Sequence, residues 1–286
     1  MKRNLIAMTI VAMAFGTAHA ADGADGSEFF HQAGAGVSEV EAGLSYHLGS
    51  TVRAKGTTQD IKFSGLQDLG ASYQYGINEM LALGGRLAYQ STETEFGTSK
   101  TKVNGLKDIV VFLEGTNNMG MGNLKFGADF SLGLAKPKFE TDRQDATTGG
   151  MALAPYVGWD MTAGPGWLGA KLQYTWKGER TEDHSGTDEK FKGGDILGVS
   201  AFYEMLVADI TLGGALEFNS IGEVKQTAPG AETQESKSQT STGIDLYSKI
   251  PFGGWDLLPG INYTFSNSEL DKTSVMLLNV AARFAF

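Results

Sequence analysis

Single charged residues interrupt segments of the sequence that are otherwise apolar or small. Asp68 and Asp108 each close a Gly-Leu-x-Asp stretch, Asp195 and Asp245 each close a Gly-x-Asp stretch, and an apolar run follows all four. An aspartate in this position can accept hydrogen bonds from the backbone of its own turn. If the four carboxylates instead face a shared water-filled passage, they form a ring of charge that tunes the permeation of ions. The sequence leaves both interpretations open.

The segments that carry these charges alternate between apolar and polar residues with a period of two. In "LKFGADFSLGL", which begins at Leu124, apolar residues occupy one set of positions, and Lys125, Asp129, Ser131 and glycines occupy the other. Strict alternation of this kind predicts β-strands with one apolar face. We predict twelve strands, at residues 37–48, 63–76, 81–90, 106–116, 123–135, 150–159, 167–176, 194–203, 208–218, 242–250, 256–265 and 274–286.

The connections between these segments alternate between short and long. The long, polar ones lie near residues 49–60, 91–104, 136–149, 177–193, 219–241 and 266–273. The polar faces of the strands are rich in glycine, alanine and serine, whereas a soluble β-sandwich, which is the alternative, would more often show long polar side chains to water. These features predict an all-β chain that forms a 12-stranded antiparallel up-and-down transmembrane β-barrel with short periplasmic turns and long extracellular loops.

The N-terminal residues carry the pattern of a secretory signal. Lys2 and Arg3 precede an apolar run from Leu5 to Phe15, and "AHA" at residues 18–20 is a small-x-small cleavage site. We therefore predict three parts: a cleaved signal peptide at residues 1–20, a short periplasmic N-terminal segment at residues 21–36, and the transmembrane barrel at residues 37–286.

Alternation along the predicted strands assigns charged side chains to the barrel lumen. Glu41, Glu114 and Asp209 are expected in its lower part and Asp129 near its middle, and ten further residues are the candidate pore residues. Five acidic ones are expected near the outer ends of the strands: Asp68, Asp108, Asp195, Asp245 and Glu217. Five basic ones are expected in the middle or lower part: Arg86, Lys125, Lys171, Lys249 and Arg283. The upper lumen is therefore predicted to be mostly negative and the lower lumen mostly positive. The alternative is that these charges pair with one another, because a low-dielectric interior penalises a lone charge.

The end of the chain carries a more specific signal. In "VAARFAF", residues 280–286, apolar residues alternate with small or basic ones and the chain closes on Phe286. This pattern resembles the C-terminal assembly signal of bacterial outer-membrane barrels, which implies that the barrel-assembly machinery binds Phe286. The Gly-Leu-x-Asp openings resemble a group of outer-membrane channels associated with aromatic and phenol degradation. That resemblance implies the architecture alone.

Chemistry other than permeation finds little support in the sequence. The net charge is −10, and an acidic chain without basic patches is not expected to bind nucleic acid. His184 follows Glu182 and Asp183 in a polar connection, but no nucleophile signature accompanies it or His47. We expect no enzyme activity, no cofactor and no metal site.

The sequence therefore predicts a monomeric barrel in a bacterial outer membrane, surrounded by outer-membrane lipids, that lets small solutes pass through a narrow lumen. Twelve strands lie between the eight that side chains fill and the sixteen that leave an aqueous channel. A closed barrel with a structural or surface-interaction role is consequently the main alternative. Uptake of apolar compounds is a further one, with an inward-facing gate made of Val110, Phe112, Val199 and Tyr203.

Overall fold

The computed structural model describes residues 27–286, so the predicted signal peptide lies outside the described residues. A short 3-10 helix, Glu28–Phe30, precedes the strands. The strands are β1 Ser38–His47, β2 Ser50–Ala54, β3 Ile61–Gly76, β4 Leu81–Phe96, β5 Ser99–Leu106, β6 Ile109–Asn118, β7 Asn123–Leu132, β8 Lys138–Phe139, β9 Arg143–Asp145, β10 Met151–Ala163, β11 Gly166–Lys177, β12 Arg180–His184, β13 Thr187–Gly193, β14 Ile196–Val207, β15 Ile210–Ile221, β16 Val224–Thr227, β17 Gln234–Glu235, β18 Gln239–Pro251, β19 Trp255–Asn267 and β20 Leu270–Ala285.

Twelve of these strands pair in sequence and close on themselves. The antiparallel order is β1, β3, β4, β6, β7, β10, β11, β14, β15, β18, β19 and β20, and β20 pairs again with β1. At the seam Val40 lies opposite Phe284, and the backbone of Ser38 exchanges two hydrogen bonds of 2.9 Å with that of Phe286. Closure removes the sheet edges whose backbone groups would be unpaired in lipid. The predicted 12-stranded antiparallel barrel is confirmed.

The apolar side chains of the barrel strands point outward. Leu69, Leu87, Leu216 and Leu246 are 51–54% exposed, whereas inward-facing polar residues are almost fully buried. A contiguous apolar exterior of this size is not compatible with water, since soluble monomers rarely expose large apolar patches. The exterior therefore faces lipid, as in transmembrane barrels. Within residues 27–286, no helix is long and apolar enough to span a membrane.

Most of the predicted long outer loops are extensions of the barrel strands. Beyond a bulge near Leu48, β2 continues the pairing of β1 with β20, and β5 continues the pairing of β6 with β4. The long connection predicted near residues 266–273 was wrong. There β19 stays paired with β18 as far as Asn267 and β20 stays paired with β2 from Leu270, so only residues 268–269 form the turn.

Aromatic rings collect where the chain ends. Trp255 stacks on Phe252 with ring centroids 5.0 Å apart and on Phe284 at 5.9 Å. Phe284 is 44% exposed on the outer surface, so this group lies at the periplasmic rim of the lipid-facing band. Such placement is typical of the aromatic girdles that anchor barrels at the membrane interface.

Candidate functional site

The lumen is the candidate functional site, and most of the charged residues predicted to face it do so. Seven of the ten lie on the inward faces of barrel strands between the two rims of the lumen: Arg86, Lys125, Lys171, Glu217, Asp245, Lys249 and Arg283. Asp68 also faces inward, at the bulge of β3. Asp108 lies at the outer rim of the lumen, where it contacts a loop.

Asp195 does not face the lumen. One of its carboxylate oxygens accepts a hydrogen bond of 2.7 Å from the hydroxyl of Tyr174, which lies on the outer surface, and the other accepts one from the backbone of Lys177. Asp195 keeps the period of two with Leu197 and Val199, and this set of positions lies on the outer face. The phase that placed Asp195 in the lumen was therefore wrong by one residue.

The same error of phase changes the predicted apolar gate. Val199 and Tyr203 are 42% and 37% exposed on the outer surface, so their inward assignment was wrong. Phe202 takes the inward position and is 2% exposed. Val110 lines the lumen cavity and Phe112 is buried, as predicted.

The basic residues of the lower lumen are all paired with carboxylates. Lys125 lies 3.7 Å from Asp160. Arg283 is 3% exposed and lies within 3.4–3.8 Å of three carboxylates, those of Glu28, Glu41 and Asp256. Lys249 lies 3.5 Å from Glu28. Glu28, which precedes the barrel strands, supplies a carboxylate to both Arg283 and Lys249. The lower lumen therefore carries no excess of positive charge.

Glu28 belongs to an N-terminal segment, residues 27–36, that lies inside the lower lumen. Glu204 on β14 accepts hydrogen bonds from the backbone N–H groups of Glu28 and Phe29, at 2.7 and 2.5 Å. Ser27 donates to Asp160 on β10 at 2.9 Å. The sequence prediction assigned residues 21–36 to the periplasmic side of the membrane. From Ser27 onward the segment occupies the periplasmic end of the barrel interior.

Aromatic packing holds the same segment. The Phe29 ring stacks on Phe202 with centroids 4.3 Å apart, and the Phe30 ring stacks on Tyr156 at 6.4 Å. Phe30, Phe202 and Ala215 form a buried apolar cluster within the lumen. Sequence reasoning missed this cluster. Its signal was "EFF" at residues 28–30, an acid and two aromatics outside any strand, combined with a lower lumen predicted to be mostly positive.

The middle of the lumen holds charges that are not paired. Arg86 lies over the ring of Phe112, 5.6 Å from its centroid, and Lys171 lies over Tyr156 at 4.7 Å. Cations are attracted to the faces of aromatic rings. Four inward carboxylates at this level form no ion pair within the described part of the chain: Glu114, Asp129, Glu217 and Asp245. Glu114 accepts a hydrogen bond from the side chain of Gln74. Charges of both signs are thus presented to the lumen.

Above this level the lumen opens into a cavity of about 360 Å³. Arg86 and Asp129 lie at its base, Val110 and Ser131 line its wall, and Asp108 lies near its mouth. Asp68 contributes less to the charge than predicted, since Lys107 binds it at 2.7 Å. Of the five acids of the predicted negative upper lumen, Asp68 is therefore compensated and Asp195 lies outside, whereas Glu217 and Asp245 stay without an ion pair in the described part of the chain.

The outer loop of residues 133–150 covers part of the cavity mouth. Its strand β9 pairs in parallel with β5, and its strand β8 pairs in parallel with β12, so it bridges two tall hairpins. Asp108 fixes its inner edge by accepting hydrogen bonds from the hydroxyls of Thr147 and Thr148 and from the backbone N–H of Thr148. The loop makes the mouth narrower than the barrel.

His47 and His184 do not form a catalytic arrangement. His47 bonds Ser50 at 2.9 Å, but Ser50 is 1% exposed and its hydroxyl is engaged with the backbone of Met276. His184 stacks on Phe139 and contacts Glu182 at 3.1 Å. Among residues 27–286, no group of three or more His, Cys, Asp or Glu side chains is placed to hold a metal ion.

Comparisons with known proteins agree with the barrel geometry. No protein-family model and no curated protein matches the sequence. The structure is similar to that of an outer-membrane channel from Pseudomonas putida F1, with a TM-score of 0.72, 10% sequence identity and coverage of 93% of this chain and 100% of that chain.

A second solved structure, the translocator domain of the autotransporter NalP from Neisseria meningitidis, has a TM-score of 0.58 and 15% sequence identity. The similarity covers 90% of this chain and 91% of that chain. At these identities the similarity establishes the fold and leaves the activity open. The chain thus has the fold of a bacterial outer-membrane β-barrel, as its sequence resemblances implied.

Proposed function

We propose that this barrel lets small hydrophilic solutes pass across the outer membrane by passive diffusion. The observation that carries the proposal is the cavity of about 360 Å³ in the upper lumen, which is lined mainly by charged and polar side chains, with a minority of apolar ones such as Val103, Phe139 and Ile196. A barrel with a purely structural role gains nothing from buried charges without partners, since each one costs free energy. Charges that face a hydrated passage avoid most of that cost. No catalytic step is assigned to the lumen.

The unpaired groups predict a weak preference for cations. Four carboxylates, those of Glu114, Asp129, Glu217 and Asp245, face two basic groups, those of Arg86 and Lys171, in the middle of the lumen. Paired residues such as Asp68 contribute less, because Lys107 compensates the carboxylate. Selectivity is therefore assigned to the middle of the lumen rather than to its mouth.

Reversal potentials in planar bilayers test this assignment. The double variant Asp129→Asn with Glu217→Gln removes two unpaired carboxylates, so the preference for potassium over chloride should fall or reverse. The matched control is Asp271→Asn, which removes an exposed carboxylate from an outer hairpin and should leave the reversal potential unchanged. A double variant that conducts with the wild-type reversal potential would remove these carboxylates from the proposal.

A closed barrel is the second candidate, and one observation favours it. The lower lumen is filled by the segment of residues 27–36 and by the cluster of Phe30, Phe202 and Ala215. A closed barrel predicts no current from folded protein, with folding checked by the heat-dependent shift in electrophoretic mobility. The channel proposal predicts discrete current steps from the same preparation.

We also propose that the barrel acts as a monomer in contact with outer-membrane lipids. The twelve strands close without a contribution from a second chain, so the sheet itself needs no partner. Light scattering of the protein in detergent should therefore give the mass of one chain after subtraction of the micelle. A mass of two or three chains at micromolar concentration would contradict this proposal.

A further inference from the structure

We infer that the lower lumen is a binding site for the chain's own N-terminal segment, and that this segment is a displaceable plug that gates the channel. The term plug is used for residues Ser27–Ala33. The inference rests on the proposed channel function. It adds that the plug closes the channel and that the lower lumen binds the plug. Four observations carry it.

The barrel wall is shaped to receive the plug. A Cβ atom added at Gly158 on β10 would lie 2.2 Å from the Phe30 ring, and one added at Gly76 on β3 would lie 1.8 Å from the carbonyl oxygen of Gly34, directly after the plug. Real Cβ atoms do not approach other atoms this closely. Glycine at these two inward positions leaves the space that the segment fills.

The plug is recognised by several barrel strands at once. Glu204 on β14 binds the backbone of Glu28 and Phe29 and also accepts a hydrogen bond of 2.7 Å from Tyr247 on β18. Gln74 on β3 accepts a hydrogen bond of 2.8 Å from the backbone of Ala33. Side chains from different strands thus converge on one short peptide, as in a peptide-binding site.

The plug is not part of the sheet. Its contacts with the barrel are side-chain hydrogen bonds, ion pairs and ring stacking, and the single β-bridge nearby, between Ala35 and Gly76, lies after it. The closing seam begins with Ser38 and Phe286. Release of the plug would therefore leave all twelve barrel strands paired.

The plug lies in series with the cavity. Phe30 stacks beneath Tyr156, and Lys171, in the middle of the lumen, lies over the same ring. A solute that moves from the cavity towards the periplasm must therefore pass the site of Phe30. Plug release would connect the cavity with the periplasm, and the groups that bound the plug could be hydrated in its place.

Reversible crosslinking tests the gate directly, because the chain has no cysteine of its own. Gln32 in the plug and Thr116 on β6 are joined by a hydrogen bond of 2.8 Å between their side chains. In the variant with Gln32→Cys and Thr116→Cys, a short crosslinker with two thiol-reactive ends would link the two cysteines. The crosslinker contains a disulfide that a reducing agent cleaves. We expect the crosslinked barrel to conduct at least tenfold less than the same sample after reduction.

A second variant opens the gate instead of locking it. Phe29→Ala with Phe30→Ala removes the ring stacking, so the time spent in the conducting state should rise at least tenfold. A synthetic peptide with the sequence of residues 27–34, added on the periplasmic side, should restore the block, whereas a peptide with alanine at both phenylalanine positions should not. Glu232→Gln, in an exposed outer loop, is the control and should leave gating unchanged.

The possible results separate the two proposals. If crosslinked and reduced barrels conduct equally, and the peptide has no effect, the plug inference is wrong while the channel proposal stands. If no current is seen from the folded wild type, the reduced crosslinking variant or the double alanine variant, both the plug inference and the channel proposal are overturned.

Discussion

At the scale of single residues, the lumen owes its charge balance to a few ion pairs that cross the barrel. Arg283 on the last strand meets carboxylates from the plug, from β1 and from β19. Removing one partner of a buried ionic cluster lowers the free energy of unfolding by more than the intact cluster contributes to it. The reason is that the remaining charges stay buried without compensation. Arg283 is therefore expected to matter more for stability than any exposed basic residue.

The variant Arg283→Met tests this. It leaves Glu41 and Asp256 without a cation, so the free energy of unfolding should fall by about 3–5 kcal/mol. Urea unfolding in lipid vesicles, followed by tryptophan fluorescence, gives the value. Lys272→Met is the matched control, since Lys272 pairs with Asp60 on the exposed outer surface, and such pairs contribute about 0–1 kcal/mol. Equal losses for the two variants would contradict the buried role of Arg283.

At the scale of elements, the loop of residues 133–150 is held over the mouth by two kinds of contact. Short parallel pairings join β9 to β5 and β8 to β12, and Asp108 binds both Thr147 and Thr148. The sequence suggested that Asp108 either bonds turn backbone or lines a pore. The structure shows it at the lumen rim with a bonding role, but towards a neighbouring loop rather than its own turn.

The variant Asp108→Ala should release the inner edge of this loop. Trypsin is then expected to cleave folded protein after Lys138 or Arg143 several times faster than in the wild type, because proteases act on segments that open locally. Mass spectrometry of the fragments identifies the site. Asp271→Ala is the control, since Asp271 accepts a hydrogen bond from Gly56 in a different outer hairpin and should leave cleavage in residues 133–150 unchanged. Unchanged cleavage in Asp108→Ala would show that the β-pairings suffice.

The last strand serves both closure and, we propose, assembly. Phe286 is 74% exposed, and its backbone completes the seam with Ser38. Its side chain thus contributes little packing within the barrel. This leaves it accessible to the barrel-assembly machinery, as expected from the resemblance of "VAARFAF" to an assembly signal.

The variant Phe286→Ser separates the two roles. Amounts of folded protein in the outer membrane of expressing cells should fall several-fold, while refolding of the purified chain into detergent should proceed with wild-type yield. Both are measured by the heat-dependent mobility shift. Leu270→Ser, at the opposite end of β20, is the control that changes the same strand without changing its terminus. Equal loss in cells and in detergent would assign Phe286 a structural role instead.

At the scale of the whole molecule, the barrel is inverted relative to a soluble protein. Its large apolar side chains cover the exterior, and glutamine, lysine, arginine and carboxylates fill the interior. The contribution of the exterior residues to the free energy of unfolding therefore depends on the surrounding lipid. A charge introduced on the outer surface destabilises the barrel by an amount that depends on its depth in the bilayer.

Two substitutions of leucine by arginine isolate this effect. Leu246, on the outer face of β18, and Leu134, beyond the outer end of β7, are 54% and 53% exposed. Leu246→Arg should lower the free energy of unfolding by about 2–4 kcal/mol because it places a cation within hydrocarbon, whereas Leu134→Arg should cost about 0–1 kcal/mol. Equal costs in vesicles would contradict the assigned membrane position.

The sequence by itself determined the number of barrel strands, their antiparallel order and the lipid-facing side. These follow from an alternation of period two. The face on which a strand residue lies depends on its position along that strand and not on distant parts of the chain. The inward positions of Arg86, Lys171 and Arg283 followed in the same way. The phase was wrong for β14, because Asp195, Val199 and Tyr203 share a face that lies outside.

Only the tertiary structure decided what occupies the lumen. Glu28 lies 255 residues before Arg283, and Asp108 bonds a loop 40 residues away, so neither contact has a local signal. Non-periodic segments such as residues 27–36 and 133–150 carry no alternation from which a position could be counted. Their places are set by complementary shape and charge within the closed barrel, and these exist only after the strands have paired.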